Sequence, residues 1–581
     1  MGLRVERKLH VQKHAVQVPL SSLCAKHTLG WIGQSIWERR PQNWFFCTFS
    51  VRQKHECRTQ LGSAPTQGDQ DGVRTSAQLR GFGMKAPRVT VEVHMANGLP
   101  SFTLVGLADT EVREARERVR SAIQNSGLDF PTNQRIVVNL APADLPKDSG
   151  RFDLPIAIGI LAASGQLDEV ALRQHVFAGE LSLSGELRPV RGALAMALGM
   201  AADDEAWTWV LPPGSAEEAA LLPQSRVYRA AHLRDVVQAF LPGSHASVLA
   251  PSEGWQRLQP PAWPQPAPNH GSLDLRDVRG QANAKRALEI AAAGGHSLLM
   301  MGPPGSGKTM LAQRLVGLLP ALTQQQALES AAVLSLAGQF QPQHWGQRPF
   351  RQPHHSVTTT ALVGGGAPPR PGAISLAHHG VLFLDELLEF SRHSLEALRE
   401  PLESGRILIS RGRHHTELAA QFQWVTAMNP CPCGYLGSQQ PACRCAPEHI
   451  ARYQARLSGP LLDRLDMQVQ VAALPPELML QSPSGDSSEL VRQRCQAAHD
   501  RALARQGVRN QDLSPAQLQE LPMSAQAEQH LLQTASRHAW SGRAISRVKK
   551  VAQTIADLAS AAQIEQPHVA QAMHYRSPDR G

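Results

Sequence analysis

Eight consecutive residues, Gly302-Pro303-Pro304-Gly305-Ser306-Gly307-Lys308-Thr309, have the types and spacing that hold a polyphosphate. Glycines let the backbone curl until successive N–H groups converge on an anion, and a helix that follows adds partial positive charge at its N-terminus. Lys308 is placed to reach β- and γ-phosphate oxygens, and the Thr309 hydroxyl to ligate Mg²⁺. The flanks agree, since residues 296–301 read as a buried strand and residues 310–318 as a helix. ATP and Mg²⁺ are the expected ligands.

A second apolar run, residues 381–384, ends in Asp385-Glu386. Asp385 suits the Mg²⁺ shell, and Glu386 suits orienting and polarising a water, so hydrolysis rather than binding alone is expected. A third run, residues 423–428, ends in Asn429, a polar amide able to touch the γ-phosphate or the lytic water, the position called sensor 1. Arg464, in Leu461-Leu462-Asp463-Arg464, is suited to act in trans as an arginine finger. Arg543, entering a helix over residues 544–559, can take the sensor-2 role. Either arginine could instead make a surface ion pair. The candidate catalytic set is thus Lys308, Glu386, Asn429, Arg464 and Arg543.

Cys431, Cys433, Cys443 and Cys445 fall within fifteen residues. In a reducing compartment four thiolates on one excursion suit a tetrahedral structural Zn²⁺, although the C-x-C spacing is tighter than usual, and free or redox-active thiols are the alternative. Three His-His pairs, at 354/355, 378/379 and 414/415, each lack a spaced cysteine or carboxylate set. Interaction with the nucleotide pocket or with phosphates is the better reading for His354 and His355.

The elements that position these groups follow from the chain as a whole. At 581 residues and 42% apolar composition, the sequence fills cores for three or four folding units and is not globally disordered. Residues 1–80 carry 12 basic and 5 acidic side chains, hence 7 of the 9 net positive charges, so the global charge says little about polyanion binding by the remainder. Those residues lack periodicity and read as a disordered or non-native extension. Residues 87–240 alternate strands and helices as one α/β domain, and residues 241–272, rich in proline, read as a linker. Residues 273–475 repeat strand–loop–helix units around the phosphate loop. Residues 488–581 read as a helical domain, with helices at 488–506, 524–536, 541–560 and 565–575. The longest apolar run, residues 152–165, is broken by Asp153 and Pro155, and no apolar stretch follows Met1. A cytoplasmic protein without membrane association is expected.

These motifs together resemble the AAA+ ATPases, and more narrowly the magnesium-chelatase-like ComM/YifB family, over about residues 87–576. The likeness is carried by L-V-G-L-A-D-T-E-V-R-E-A-R-E-R-V-R at 104–120, V-N-L-A-P-A-D-L-P-K at 138–147 and R-Q-P-H-H-S-V at 351–357. N-P-C-P-C-G-Y at 429–435 and S-G-P-L-L-D-R-L-D at 458–466 add to it. The resemblance implies three parts: an N-terminal Lon-protease-like (ribosomal-S5-like) α/β domain, a P-loop AAA+ domain and a helical lid. It further implies a homo-hexameric, ATP-driven DNA motor of helicase type. Such a motor extends branch migration during homologous recombination in natural transformation, on single-stranded and branched DNA, alongside recombinase-pathway partners. A protein remodeller and a chelatase subunit are the alternatives.

In AAA+ helicases a hairpin before the sensor-1 strand points into the ring pore. Residues 406–410 and 417–422 flank Arg411-Gly412-Arg413-His414-His415 in that way. Arg411, Arg413 and His414 are therefore the expected DNA-phosphate contacts, a solvated tip being the alternative. Residues 362–379 resemble a pore-loop insert of the same clade. In the first domain Ser149 lies near where a Lon-type nucleophile would sit, but residues 188–197 contain no lysine, and Arg188 and Arg191 cannot serve as neutral bases. Peptidase activity is not expected.

Overall fold

The computed structural model describes residues 46–51, 88–106, 110–142, 150–201, 207–243, 254–263, 273–366, 369–411, 414–437, 442–473 and 485–576. Two sheets dominate them.

The first sheet contains β1 (Phe46–Val51), β2 (Arg88–Asn97), β3 (Ser101–Val105), β4 (Gln134–Ala141), β5 (His175–Phe177), β6 (Thr208–Leu211), β7 (Arg226–Ala230) and β8 (Trp255–Leu258). Their spatial order is β8-β7-β6-β5-β1-β2-β4-β3, with parallel and antiparallel pairs mixed. Val89, Val91 and Val93 face the core while Glu92 faces out, the period-2 pattern of a half-buried strand. Helices α1 (Thr110–Asn125) and α2 (Asp153–Ala163) cover this part of the sheet. Every residue of α2 from Asp153 to Ala162 is buried, as its unbroken apolar run requires. Its one carboxylate, Asp153, is met by both Nε (2.7 Å) and Nη2 (3.1 Å) of Arg118 and by the N–H of Leu181.

Two expectations are corrected here. β1 comes from the stretch read as an extension, and it pairs in parallel with β2 from Phe46↔Arg88 to Val51↔Val93. β8 comes from the stretch read as a linker, and it pairs antiparallel with β7. Each is a short run with aromatic or β-branched residues set in polar or proline-rich surroundings, where window composition hides a strand.

The second sheet is wholly parallel. Its strands are β9 (Leu298–Met301), β10 (Phe350–Arg351), β11 (Val381–Leu384), β14 (Gln423–Met428) and β15 (Met467–Gln470), in the order β10-β11-β14-β9-β15. Both faces are covered, so β11 and β14 are buried at every residue and read in the sequence as continuous apolar runs. Between them β12 (Arg406–Arg411) and β13 (His414–Ala419) form a separate two-stranded hairpin.

Helices α5 (Ala282–Gly294) and α6 (Lys308–Leu315) pack on this sheet. The C-terminal helices are α9 (Ser488–Gln506), α10 (Ala525–Arg537), α11 (Gly542–Leu558) and α12 (Gln566–His574). The first three start where Ser487, Ser524 and Ser541 accept a hydrogen bond from the third N–H that follows. Val491, Cys495, Val548 and Ile555 enter the same core as Leu288, Leu298 and Met300.

The two sheets are also joined through a shared core. Helix α7 (Gln324–Leu336), which follows the phosphate-loop helix, sets Leu328, Ala331, Ala332 and Leu336 against Leu194 and Leu198 of α3 (Ala193–Met200) and against Trp209 of β6. Gly192 N–H donates to the Ser335 carbonyl (3.1 Å), and Ser335 Oγ donates to Glu218 Oε2 (2.5 Å) in α4 (Ser215–Ala219). Burial pushes the Glu218 carboxyl up to about 7, against the hydrogen bonds from Ser335 and from the Leu194 N–H. An acid held above its ordinary value keeps a proton that the unfolded chain releases, so this group costs stability as pH rises from about 4.5 to about 7 and above. Glu218→Gln therefore raises the thermal midpoint more at pH 8 than at pH 5, and an equal shift at both would contradict this assignment.

Candidate functional site

The phosphate loop leaves the C-terminal end of β9, a strand flanked by β14 and β15, and enters α6 at Lys308. Gly302 donates its N–H to Met428 O (3.3 Å), and a Cβ there would lie 2.0 Å from Val471 O, so no larger residue fits. Gly307, at φ +91°, caps the helix in the left-handed region. Pro303, Pro304, Gly305 and Ser306 complete the turn. Lys308 is buried, and its Nζ donates to the carbonyls of Gly302 (2.8 Å) and Pro303 (2.8 Å) and to Asn429 Oδ1 (3.3 Å). Burial lowers its pKa below the ordinary lysine value, while Asp385 and Glu386 pull the other way. The ammonium thus rests on loop carbonyls, beside the amide at the end of β14.

The second acidic strand meets this loop. Thr309 Oγ1 donates to Asp385 Oδ2 (2.6 Å), and Asp385 Oδ1 accepts the Glu386 N–H (2.9 Å). A hydroxyl and a carboxylate in direct contact at the foot of the loop are a hard oxygen pair of the kind Mg²⁺ takes. Glu386 sits at φ +51°, unusual for a residue with a side chain. That backbone turns its carboxylate outward, 54% exposed, where His355 Nδ1 meets Oε2 at 3.0 Å. His355 follows β10, and its ring centroid lies 4.1 Å from that of His354, the planes tilted by 34°. Lys308, Asn429, Thr309, Asp385, Glu386 and His355 therefore converge from the ends of four parallel strands, the usual place for a ligand in an open α/β sheet. Gln281 was not foreseen. It starts α5 at φ +54° and bridges Ser306 O (3.3 Å) to Ala472 O (2.7 Å), bracing the loop from outside.

The arginines are placed differently. Arg464 has its carbonyl fixed by Ser297 Oγ (2.9 Å), while its guanidinium, 12% exposed, pairs with Glu403 and donates to Pro460 O (2.5 Å). Its own phosphate loop is not among those partners. Arg543 is exposed in the first turn of α11. One turn on, Arg547 lies 3.7 Å from Asp466, whose other carboxylate oxygen holds the N–H and hydroxyl of Ser297.

The hairpin runs in register from Arg406↔Ala419 to Arg411↔His414. Arg411 and His414 thus close it, and Arg413 lies outside the described residues. Ile407, Ile409 and Leu418 anchor its base in the core around Leu362 and Ile374. Residues 364–365 pair antiparallel with residues 370–371 as a short second excursion beneath it. Ser149 also lies outside the described residues. Beside it Arg151 is buried, with its guanidinium on the Met196 sulfur (3.5 Å).

The four cysteines are free thiols gathered into one knot. Sγ–Sγ distances are 3.3 Å for Cys431–Cys433, 3.6 Å for Cys431–Cys443 and 3.5 Å for Cys433–Cys443, and all four sulfurs lie within 4.8 Å of one another. Sulfurs on a tetrahedral zinc, each about 2.3 Å from the metal, sit about 3.8 Å apart, so the set fits that ion. Backbone N–H groups of Tyr435 and Arg444 hold the Cys433 thiol down to about 6.

One histidine pair does acquire a carboxylate, contrary to the sequence reading. Glu329 of α7 reaches His379 Nε2 (2.6 Å) and His378 Nε2 (3.7 Å). His378 Nδ1 accepts the Gln421 N–H (3.1 Å), so its proton is on Nε2, facing Glu329. Burial takes His379 down to about 4. Burial pushes Glu329 up, but the two imidazoles, His379 in hydrogen bond at 2.6 Å and His378 close by at 3.7 Å, outweigh it and hold the carboxyl at about 2. The cluster is a hydrogen-bonded clamp between α7, β11 and the hairpin base rather than a set of open lone pairs for a metal.

A glycine-rich loop leaving the middle of a parallel sheet, an acidic pair on the next strand but one and an amide at the end of the strand between them have the layout of an AAA+-type ATPase. Comparison with known proteins narrows this. Residues 274–479 match the family described as magnesium chelatase, subunit ChlI, and residues 485–576 match its C-terminal part. Residues 91–215 match subunit ChlI of Mg-chelatase. The chain is 48% identical over 512 residues to the uncharacterized protein YifB of Salmonella typhimurium, covering 87% of this chain and 97% of that one. It is 48% identical over 500 residues to competence protein ComM of Haemophilus influenzae, covering 85% and 96%. A 151-residue stretch is 27% identical to Lon protease 2 of Bacillus subtilis, covering 25% and 27%. The chain belongs to the magnesium-chelatase-like ComM/YifB family. Among the described residues, no helix is long and apolar enough to cross a membrane.

Proposed function

We propose that this protein is an ATP-driven DNA motor that promotes branch migration in homologous recombination, acting in natural transformation as a hexameric ring. The observation that carries the reading is the 48% identity to a competence protein over 96% of its length. The phosphate-site geometry and the hairpin next to the sensor strand support it.

In the proposed cycle the loop N–H groups and Lys308 grip the β- and γ-phosphates of ATP, with Lys308 exchanging loop carbonyls for phosphate oxygens. Thr309 and Asp385 would hold a Mg²⁺, which when bound would neutralise charge on those oxygens. Glu386, steadied by His355, orients the water that attacks the γ-phosphorus and accepts its proton. Asn429 fixes the water or the γ-phosphate. Arg464 of a neighbouring subunit in the ring supplies positive charge to the transferring phosphoryl group, and Arg543 senses the nucleotide from the helical lid. Cys431, Cys433, Cys443 and Cys445 would hold a structural zinc. Arg411, Arg413 and His414 contact DNA phosphates, which gives grip without sequence preference.

The DNA contact is tested by binding of a synthetic four-way junction across a salt series. Arg411→Ala with Arg413→Ala is expected to weaken binding evenly across sequences and to reduce the log–log salt slope by about 2. Unchanged affinity and slope would contradict the hairpin assignment. Branch migration is tested on a three-stranded substrate with ATP. Hydrolysis without strand exchange would favour a remodelling role instead.

A further inference from the structure

The cysteine knot touches the phosphate loop. Asn429, whose amide meets Lys308, stands two residues before Cys431, which is fully buried. The chain then turns through Gly434 at φ +84°, its N–H donating to Cys431 O (2.9 Å). There Gly434 packs so closely on Pro304 that an added Cβ would lie 2.5 Å from the proline Cδ and 3.7 Å from Asn429 Cγ. Gln454 of α8 (Pro447–Gln454), just beyond Cys445, donates to Pro430 O (3.0 Å) and ties the far end of the excursion to its start. Residues 429–437 and 442–454 are therefore straps joined at four sulfurs, with Gly434 lying on the loop read as the ATP site.

We propose that metal held by the four cysteines positions Asn429 and Pro304, so that occupancy of the knot by zinc governs nucleotide affinity and turnover. The inference rests on residues 302–309 being the ATP site and is independent of any DNA partner. Loading requires all four sulfurs as thiolates, which releases their protons as the metal binds. Without the ion the sulfurs, 3.3–3.6 Å apart, keep only weak thiol and backbone hydrogen bonds, and the first strap presses Gly434 on Pro304 less firmly. Gly434 is a positioning residue acting through Pro304.

The test uses the full-length protein without DNA. Elemental analysis is expected to find one zinc per chain. Cys443→Ser loses the metal, weakens binding of a fluorescent ATP analogue roughly tenfold and lowers kcat by about 10–100-fold, the scale expected when a reacting geometry shifts by an ångström. Cys443→His, which keeps a zinc ligand, restores metal and affinity together. Gly434→Ala leaves all four cysteines in place, and elemental analysis of the same preparation reads whether its zinc is kept; the zinc-loaded variant shows the same weakened nucleotide binding, which separates loop positioning from loss of the metal. Protein isolated without metal and fully active would overturn the inference, and so would a zinc-free Cys443→Ser variant, or a zinc-loaded Gly434→Ala variant, with unaltered affinity and kcat. Failure of ATP to bind the intact, zinc-loaded protein at all would instead refute the reading of residues 302–309.

Discussion

Glu386→Gln lowers ATP turnover by about 10²–10⁴-fold, the range for loss of a general base, while ATP still binds with near wild-type affinity. The two effects separate because different atoms carry them. Binding is assigned to the loop N–H groups, Lys308 and the Thr309–Asp385 pair, whose hydrogen bonds do not involve the Glu386 carboxylate. Turnover needs a carboxylate able to take a proton from water, and Glu386 is the exposed acid beside that pair. Glutamine keeps the size and can still hydrogen-bond His355, but it has no anionic oxygen. Single-turnover hydrolysis set beside equilibrium binding of a fluorescent ATP analogue reads both quantities. A rise in KM at constant kcat would assign Glu386 to binding and leave the water without a base.

Arg464→Ala lowers turnover by about 10³–10⁵-fold, the scale of an arginine finger, again with ATP binding retained in the same subunit. Within one chain the Arg464 guanidinium pairs with Glu403, and its carbonyl is locked to Ser297 at the start of β9. In the proposed role it serves a neighbour's nucleotide, after exchanging Glu403 for a phosphoryl group. Glu403 is 61% exposed, so losing its partner costs the fold little. A mixing experiment is decisive. Arg464→Ala and Glu386→Gln rings are each inactive, but mixed rings contain junctions where an intact Glu386 faces an intact Arg464, and activity returns in part. Activity of Arg464→Ala alone near wild type, or no recovery on mixing, would make Arg464 an ordinary ion-pair residue.

That Lys308, Thr309, Asp385 and Asn429 come together was readable in the sequence because each ends or follows a local pattern. The loop from Gly302 to Thr309 is contiguous, and β11 and β14 are apolar runs that end in the residues that matter, Asp385-Glu386 and Asn429. Two-sided burial produces that pattern directly. The helices from Ser488 to His574 were readable for a similar reason, through their serine caps and apolar spacing.

What escaped is what the tertiary fold assembles. Glu329 meets His378 and His379 across about fifty residues, and nothing in either stretch names the other. Helix α7 looks like part of the phosphate-loop half, yet it buries one face against α3. The contact of Gly434 with Pro304 depends on where two loops cross, and a glycine in a cysteine-rich turn has many other reasons to be there. Trp255–Leu258 is a strand only because Arg226–Ala230 offers an edge to pair with.

The central claim is that ATP hydrolysis at Lys308, Asp385 and Glu386 is coupled to branched DNA. The most direct test measures the ATPase rate with and without a synthetic four-way junction, following strand exchange in the same reaction and running Glu386→Gln in parallel. The account predicts strong stimulation by the junction, with strand exchange, both abolished in the variant. An ATPase rate indifferent to DNA would contradict it.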